Sequence, residues 1–308
     1  MRCVARLRSP EACGRGRVKD EVSIIVKTFE RTAAIERLLH SILLSSAAQC
    51  RILVGDASRE PVLDAWPSHP NVERFRLPFD SGLSYGRNFL VDRVTTPYCV
   101  VLDDDLLFTE ETRLELLLAL VKEHGFDLAA GEGNLLVRGQ PGHANIERAG
   151  RKLRLVAGAK PRALHNGLPV YDMVSNFFLA TTGSVRDIRW DEQFPVYGNH
   201  IDFFMRYSAK YRVTYTDRVV VQHIEGGYTP LGNRSKYGAG KMYQTSRRFA
   251  RKHGVDQYGD IHLRGVRGLL DVFVPAAWAA VRRAPGLLLQ RLGVRERPPA
   301  PQSPRGTP

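Results

Sequence analysis

The sequence predicts an α/β fold built on a mainly parallel sheet flanked by helices, and three observations indicate it. Short runs rich in β-branched residues, of which Val22–Val26 is the first, alternate with segments whose apolar residues recur at helical spacing. The spacing of these segments suits the crossover connections of parallel strands. Acidic residues stand at the carboxyl ends of two predicted strands, where open α/β sheets bind their ligands. A chain of 308 residues is long enough for one large domain of this kind or two small ones.

Each element of the first half follows from a local pattern. Val22–Val26 has the composition of a strand buried on both faces, and an amphipathic helix follows it to about Leu44. Thr109 is expected to be the N-cap of a second strong helix, because acidic residues crowd the next turn and Lys122 closes the pattern. The remaining elements predicted here are strands at Arg51–Asp56, Val72–Leu77 and Tyr98–Leu102 and a helix at Ser84–Val94.

The second half carries weaker patterns. Residues 131–194 favour short strands and turns, with no clear helix. Beyond them the sequence predicts a brief helix at Asn199–Lys210, strands at Val213–Thr216 and Val219–His223, and helices at about Lys241–Lys252 and Val266–Leu292. We therefore expect a flexible basic tail at 1–20, one domain at 21–255, a basic helical extension at 256–294 and a disordered Pro-rich tail at 295–308.

Composition restricts the classes of protein that fit. The hydrophobic fraction of 43% and the charged fraction of 25% are those of a globular protein. Four cysteines without a C-x-x-C pair favour a reducing compartment over a disulfide framework or a zinc site. No signal peptide and no bilayer-spanning segment are expected, so we predict a cytoplasmic chain, either free or peripheral at the inner face of a membrane.

The net charge of +13 is concentrated near the carboxyl end, where residues 233–308 hold 15 Lys and Arg against 4 Asp and Glu. Arginines interleaved with apolar residues in Val266–Leu292 would suit an anionic membrane, and packing of that helix on the domain is equally compatible with the pattern. A basic nucleic-acid-binding protein is a further alternative. We do not expect nucleic acid as a partner, because acidic strand ends would repel its phosphates.

Three consecutive carboxylates, Asp103–Asp105, follow the predicted strand Tyr98–Leu102 directly. Adjacent carboxylates repel one another, and burying one without a partner is costly. They are more than a helix cap needs, although capping is the simpler alternative. A pair of carboxylates at a strand end suits a hard divalent cation whose coordination shell is completed by phosphate oxygens.

The order of the motifs resembles that of the GT-A (Rossmann-like) glycosyltransferases of family 2. The series is V-K-T-F from Val26, V-G-D-A-S from Val54, G-R-N from Gly86, and V-V-L-D-D-D ending at Asp105. Together with H-I-D-F-F-M-R from His200, it is similar to the β-1,4-N-acetylgalactosaminyltransferases related to ganglioside synthases. The resemblance covers residues 22–254. It implies a nucleotide half at about 21–130 and an acceptor half at about 131–255.

The resemblance implies a donor site for a UDP-sugar. Thr28 and Arg31 would contact the nucleotide, Asp56 would accept a hydrogen bond from the uracil N3–H, and Arg87 would pair with the diphosphate or stack near the base. Taken singly, a turn-capping role for Asp56 and a surface position for Arg87 are equally compatible with the sequence. The other implied donor-site residues are Asp103 for ribose or sugar, Asp104 in the nucleotide-sugar site, and Asp105 and His223 for Mn²⁺ or Mg²⁺. Seating the helix that follows is the alternative for Asp104, and a structural role is the alternative for His223.

The resemblance also implies an acceptor pocket. Asp202 matches the position of a general base, and an aromatic setting would raise its basicity through desolvation. Its alternative is an acidic residue placed for the helix dipole. Asn176, Trp190 and His200 would line the sugar and acceptor pocket, although a lone Trp is more often part of a core. One departure is Asn199, where relatives often carry an acid.

These expectations combine into a metal-dependent inverting transferase that moves GalNAc, Gal or GlcNAc from a UDP-sugar to a hydroxyl. The acceptor would be a carbohydrate, a glycolipid or a small molecule. A retaining transferase or a nucleotidyltransferase on a similar sheet is the enzymatic alternative. Residues 226–241, with five glycines and three cations, are expected to fold over the diphosphate once the donor binds.

Overall fold

A computed structural model describes residues 18–262 apart from 63, 65, 134–140, 196, 225–238 and 259–260. The described helices are α1 (Val18–Glu21), α2 (Thr32–Leu43), α3 (Gly82–Val91), α4 (Leu114–Lys122), α5 (Thr182–Ile188), α6 (Asn199–Tyr207) and α7 (Ala239–His253). The strands are β1 (Val22–Thr28), β2 (Arg51–Asp56), β3 (Val72–Arg76), β4 (Tyr98–Asp103), β5 (Leu106–Phe108), β6 (Leu128–Glu132), β7 (His143–Ala149), β8 (Lys152–Ala157), β9 (Ala163–His165), β10 (Leu168–Val170), β11 (Met173–Val174), β12 (Phe177–Thr181), β13 (Val213–His223), β14 (Gln257–Tyr258) and β15 (Ile261–His262).

The main sheet has eight strands in the order β3-β2-β1-β4-β12-β6-β13-β5. Its first four strands are parallel, and β13 is parallel to β6. Strand β12 runs antiparallel between β4 and β6, and β5 runs antiparallel to β13. A five-stranded sheet, β11-β7-β8-β14-β15, and the β9-β10 hairpin lie beside it. The predicted α/β class with a largely parallel sheet is therefore confirmed.

Alternation along β1 divides the apolar side chains between two cores. Ile24 and Val26 pack into one cluster with the buried face of α2, and Ile25 packs into the other with Leu90 of α3. The buried face of α2 includes Leu38, which is fully buried as its helical spacing predicted. Burying such a side chain contributes about 1.5–3 kcal/mol. Both faces of the parallel strands are thus covered, and a ligand can reach these strands at their carboxyl ends.

Three details of the predicted elements are wrong. Helix α4 begins at Leu114, not after Thr109, because Thr109 and Thr112 close a turn in which the Thr109 amide donates to Thr112 Oγ1 at 2.8 Å. Residues 131–194 do contain a helix, α5. The two strands predicted in 213–223 are one strand, β13, whose register shifts between Tyr215 and Val220.

The predicted helix at Val266–Leu292 lies outside the described residues, as do the two terminal tails. Among the helices that are described, none is both long enough and apolar enough to cross a bilayer.

Candidate active site

A cavity of about 210 Å³ opens at the carboxyl ends of β1 and β4. It is lined by Lys27, Phe29, Arg31, Asp80, Gly82, Leu83, Asp103, Asp104, Asp105, Asn176 and Asn199. The chain order does not bring these residues together; the parallel pairing of β1 with β4 and the antiparallel pairing of β4 with β12 do. The cavity lies where open α/β sheets bind ligands.

Asp103, the last residue of β4, is held in place by two donors. Its Oδ1 accepts from Arg87 Nη2 at 2.7 Å, and its Oδ2 accepts from Asn176 Nδ2 at 2.9 Å. Arg87 is buried on α3, and its guanidinium lies 5.2 Å from the ring of Trp190. Burial lowers the pKa of Arg87, and Asp103 partly offsets that effect. The structure therefore gives Arg87 a buried charge pair rather than a surface position.

Asp104 is the buried member of the triplet. Thr28 Oγ1 donates to its Oδ2 at 2.7 Å, and Arg31 Nη1 donates to its Oδ1 at 2.7 Å. Burial raises the pKa of Asp104 to about 6, and the Arg31 charge offsets only part of that effect. Two of the residues predicted to contact the nucleotide, Thr28 and Arg31, are thus tied to the triplet from the end of β1.

Asp105 differs from its neighbours because one of its oxygens is left without a donor. Its Oδ2 accepts from Arg31 Nη1 at 3.0 Å and lies 3.5 Å from His223 Nε2. Its Oδ1 is buried and accepts no hydrogen bond from any described residue. His223 reaches the triplet because β5, which starts at Leu106, pairs with β13 and places Leu106 opposite His223.

These residues fit a hard or borderline divalent cation. A carboxylate oxygen without a donor and a nearby imidazole are donor atoms that Mn²⁺ accepts. In the described part of the chain, no group of three or more His, Cys, Asp or Glu side chains is arranged to hold a metal ion. Further ligand oxygens would have to come from a bound phosphate or from water.

Asp56 has a defined local role at the end of β2. Its Oδ1 accepts from the Ser58 amide at 2.9 Å, and its Oδ2 accepts from the Val62 amide at 2.8 Å. It therefore caps the turn after β2, the alternative that the sequence left open. Its Oδ2 also lies 3.5 Å from Arg76 Nη1, whereas Oδ1 keeps a second lone pair, so the uracil contact stays a prediction.

Asp202, the predicted general base, is completely buried and does not line the cavity. Its Oδ1 lies 2.8 Å from His253 Nε2 and 2.6 Å from Lys252 Nζ, and its Oδ2 accepts from Arg206 Nε and Nη2 at 3.0 and 2.8 Å. Burial acts to raise the pKa of Asp202, but the bonds from His253 and Lys252 and the Arg206 charge outweigh it, so the pKa is lowered. The expected gain in basicity is therefore not found, and the role of base stays a prediction.

Of the predicted sugar and acceptor residues, only Asn176 lines the cavity. Its Oδ1 is buried and has no hydrogen-bond partner among the residues described. Trp190 is buried and stacks on Phe203, with ring centroids 4.4 Å apart. His200 Nε2 lies 2.8 Å from the Val174 carbonyl oxygen, and burial lowers the pKa of His200 to about 4. Trp190 and His200 thus lie behind the cavity wall.

Of residues 226–241, which were expected to fold over the diphosphate, only 239–241 are described, and Lys241 was one of the cations named there. The sequence reasoning assigned no role to two further residues of the cavity. Lys27 points into it from β1, and Asp80 lines it with a φ of 52°, an uncommon conformation for a residue other than glycine. Lys241 Nζ, in the first turn of α7, lies 2.6 Å from Asp80 Oδ2. The sequence signal for this part of the cavity was the D-S-G motif of Asp80–Gly82, which is typical of a turn. In the structure Gly82 has a φ of 86°, and a Cβ there would lie 2.7 Å from Pro195 Cβ, so the turn requires glycine.

The sheet order and the carboxylate triplet at the end of β4 define the class of GT-A glycosyltransferases. Solved structures show the same fold. A fragment of S. aureus TarS covering its residues 1–349 aligns with a TM-score of 0.53 at 15% identity, over 89% of this chain and 78% of that one. The same fragment in complex with UDP-GlcNAc aligns with a TM-score of 0.53 at 17% identity, over 75% and 66%.

Sequence comparison gives the family. Residues 23–135 match the model of Glycosyl transferase family 2. The chain is 32% identical over 216 residues to human beta-1,4 N-acetylgalactosaminyltransferase 1, covering 66% of this chain and 38% of that protein. It is 28% identical over 216 residues to mouse beta-1,4 N-acetylgalactosaminyltransferase 2, covering 67% and 40%. Residues 23–135 thus form a glycosyltransferase family 2 domain, and the chain spans about two fifths of the length of these curated relatives.

Proposed function

We propose that the chain is a metal-dependent inverting glycosyltransferase that moves a sugar from a UDP-sugar to an acceptor hydroxyl. One observation carries the proposal. The cavity places three carboxylates beside Lys27 and Arg31, and one buried oxygen, Asp105 Oδ1, accepts no hydrogen bond from the described residues. A buried oxygen without a donor is costly unless a ligand completes it. A divalent cation would supply the contact that Asp105 Oδ1 lacks and would be attracted by the carboxylates. A diphosphate bound to the cation would be attracted by Lys27 and Arg31.

The donor half of the site follows from the residues at the ends of β1 and β4. Lys27, Arg31 and Lys241 bring positive charge to the cavity or its rim, where the diphosphate would lie. Asp103 is fixed by Arg87 and Asn176, so its carboxylate is oriented to accept from a ribose or sugar hydroxyl. Mn²⁺ or Mg²⁺ held by Asp105 and His223 would neutralise charge on the leaving diphosphate.

The proposed reaction is a single displacement at the anomeric carbon of the donor. A lone pair of the acceptor oxygen forms a bond to the anomeric carbon, and the bond from that carbon to the phosphate oxygen breaks. UDP leaves with the bonding electrons, and the acceptor proton passes to a base. An α-linked donor then gives a β-glycoside, which proton NMR of the first product distinguishes from retention by the anomeric coupling constant. The cations at the rim stabilise the charge that develops on UDP.

The relatives narrow the donor that we propose. Two of them are named as N-acetylgalactosaminyltransferases, and TarS was solved with UDP-GlcNAc. We propose an N-acetylhexosamine, GalNAc or GlcNAc, with Gal as the remaining candidate. The acceptor class stays as the sequence predicted it: a carbohydrate, a glycolipid or a small molecule.

A thermal-shift screen of nucleotide sugars tests this function directly. UDP, UDP-GalNAc, UDP-GlcNAc and UDP-Gal are each added with and without Mn²⁺, and CDP and GDP serve as matched controls. We expect UDP and its sugars to raise the melting temperature only in the presence of metal. Equal shifts with CDP, or none with any uridine nucleotide, would contradict the proposal.

A further inference from the structure

Asp202 joins α6 to the last turn of α7. Its carboxylate has no exposed surface, and both oxygens are occupied by donors from Arg206, Lys252 and His253 at 2.6–3.0 Å. Lys252 and His253 belong to α7, and Arg206 belongs to α6, as Asp202 itself does. Asp202 therefore links the two helices, because its buried carboxylate is shared by donors from both of them.

The other end of α7 meets the cavity. Lys241 is in the first turn of the helix, and its Nζ lies 2.6 Å from Oδ2 of Asp80, which lines the cavity. Lys241 and Lys252 are separated by about 17 Å along the axis of an α-helix. Since α7 is one continuous helix over Ala239–His253, the position of its last turn determines where its first turn lies.

We propose that Asp202 is a positioning residue that holds Lys241 at the cavity mouth, where Lys241 contacts the diphosphate of the donor. The inference rests on the proposed function, since it assumes that a UDP-sugar occupies the cavity. Geometry supports a positioning role over a base: the carboxylate is closed to solvent, lies outside the cavity lining and already accepts four contacts. The lowered pKa of Asp202 agrees, because a general base needs the opposite change.

The test compares the binding of UDP and of uridine, which lacks phosphates, by calorimetry at fixed salt and Mn²⁺. Asp202→Asn and Lys241→Met are each expected to weaken UDP binding about tenfold, the effect of losing one charged hydrogen bond. Uridine binding should change in neither variant. The double variant should bind UDP within about twofold of either single variant, because both changes remove the same contact.

A second variant keeps the test usable if Asp202→Asn fails to fold. Lys252→Met removes one donor to Asp202, together with the contact of Lys252 with Asp191, from a side chain that is 32% exposed, and it should weaken UDP binding in the same direction. Arg251→Met is the matched control, because it removes a cation from the adjacent exposed position of the same helix. UDP binding in the control should equal that of the unmodified chain.

Turnover separates positioning from base catalysis. A positioning role predicts that Asp202→Asn raises the donor KM, lowers kcat by no more than about tenfold and leaves the shape of the pH profile unchanged. Normal UDP affinity with transfer abolished would make Asp202 the base and overturn the inference. If the unmodified chain binds UDP and both Asp202→Asn and Lys252→Met bind it with unchanged affinity, the positioning role is overturned and the proposed function is not. A chain that binds no UDP overturns the proposed function as well.

Discussion

Two acidic sites of this molecule, one partly buried and one fully buried, differ in how completely their carboxylate oxygens are bonded. Asp103–Asp105 and Asp202 both lie among apolar residues near the ends of regular elements. Both carboxylate oxygens of Asp202 are bonded, and Asp202 does not line the cavity described above. In the triplet, Asp105 Oδ1 has no donor among the described residues, and the group lines a cavity. A binding site is therefore marked by charge that the chain leaves incompletely compensated, and burial alone does not mark it.

The pKa directions express the same difference. Burial raises the pKa of Asp104 to about 6, because Arg31 and Thr28 offset only part of its desolvation. Burial acts on Asp202 in the same sense, but its donors reverse the sign and lower its pKa. The folded protein thus favours the charged form of Asp202 and disfavours that of Asp104. Substitutions that remove these charges should have opposite effects on stability.

The largest effect is expected from Asp202→Asn, which should lower the free energy of unfolding by about 3–5 kcal/mol. The substitution removes the fully buried acceptor that Arg206, Lys252 and His253 share, and the charges of Arg206 and Lys252 lose that partner. Urea unfolding at pH 7 measures the change. Asp187→Asn is the matched control, since its pair with Lys210 is exposed and should contribute less than about 1 kcal/mol. Equal losses in the two variants would contradict the distinction between the two carboxylate groups.

Asp105→Asn should instead reduce transfer and leave the fold intact. We expect turnover to fall about 10²–10³-fold, the usual cost of losing one preorganised electrostatic contact. The free energy of unfolding should change by no more than about 1 kcal/mol, because Oδ1 contributes no hydrogen bond in the described structure. Sugar transfer at saturating Mn²⁺ and urea unfolding provide the two measurements. If the variant loses stability in proportion to activity, Asp105 has a structural role like that of Asp202 and not a role in ligand binding.

Much of the fold could be predicted because it depends on local patterns. Strands β1 to β4 are β-branched or alternating runs, and β2 was predicted to the residue. Helix α5, T-G-S-V-R-D-I, has no apolar periodicity, and it exists because Thr181 caps it and its neighbours bury it. The start of α4 was misplaced because Thr109 and Thr112 satisfy each other in a turn before the helix.

From the residues alone the candidate site was predictable only at the triplet, and distant members such as Arg31 and Asn176 were predicted through the family resemblance. The triplet is visible because three carboxylates are consecutive. The partners of Asp202 and Asp80 are not, since His253 is 51 positions from Asp202 and Lys241 is 161 positions from Asp80. Whether a carboxylate is fully paired depends on such distant contacts. The sequence therefore could not show that both oxygens of Asp202 are bonded whereas Asp105 Oδ1 is not.

Asp104→Asn should be neutral or stabilising, in contrast to Asp202→Asn. At pH 8 the folded protein holds Asp104 charged although burial disfavours that form, and the displacement of its pKa to about 6 corresponds to at most about 3 kcal/mol. The lost acceptor for Thr28 or Arg31 offsets part of this gain. Urea unfolding in the absence of metal measures the balance. Destabilisation comparable to that of Asp202→Asn would show that the donors of Asp104 outweigh its burial.

The smallest effect over the ordinary pH range concerns the acid stability that depends on Asp202. Its pKa in the folded protein lies below the ordinary value of 3.8, so its contribution is fully present above pH 3.8 and is lost as the pH falls through the folded value. The stability difference between the unmodified chain and Asp202→Asn should therefore be constant from pH 8 to pH 5 and shrink only in stronger acid. Urea midpoints at steps of pH measure it, with Asp187→Asn again as the exposed control. A difference that shrinks above pH 5 would mean that the donors of Asp202 do not overcome its burial, and the contrast with Asp104 would disappear.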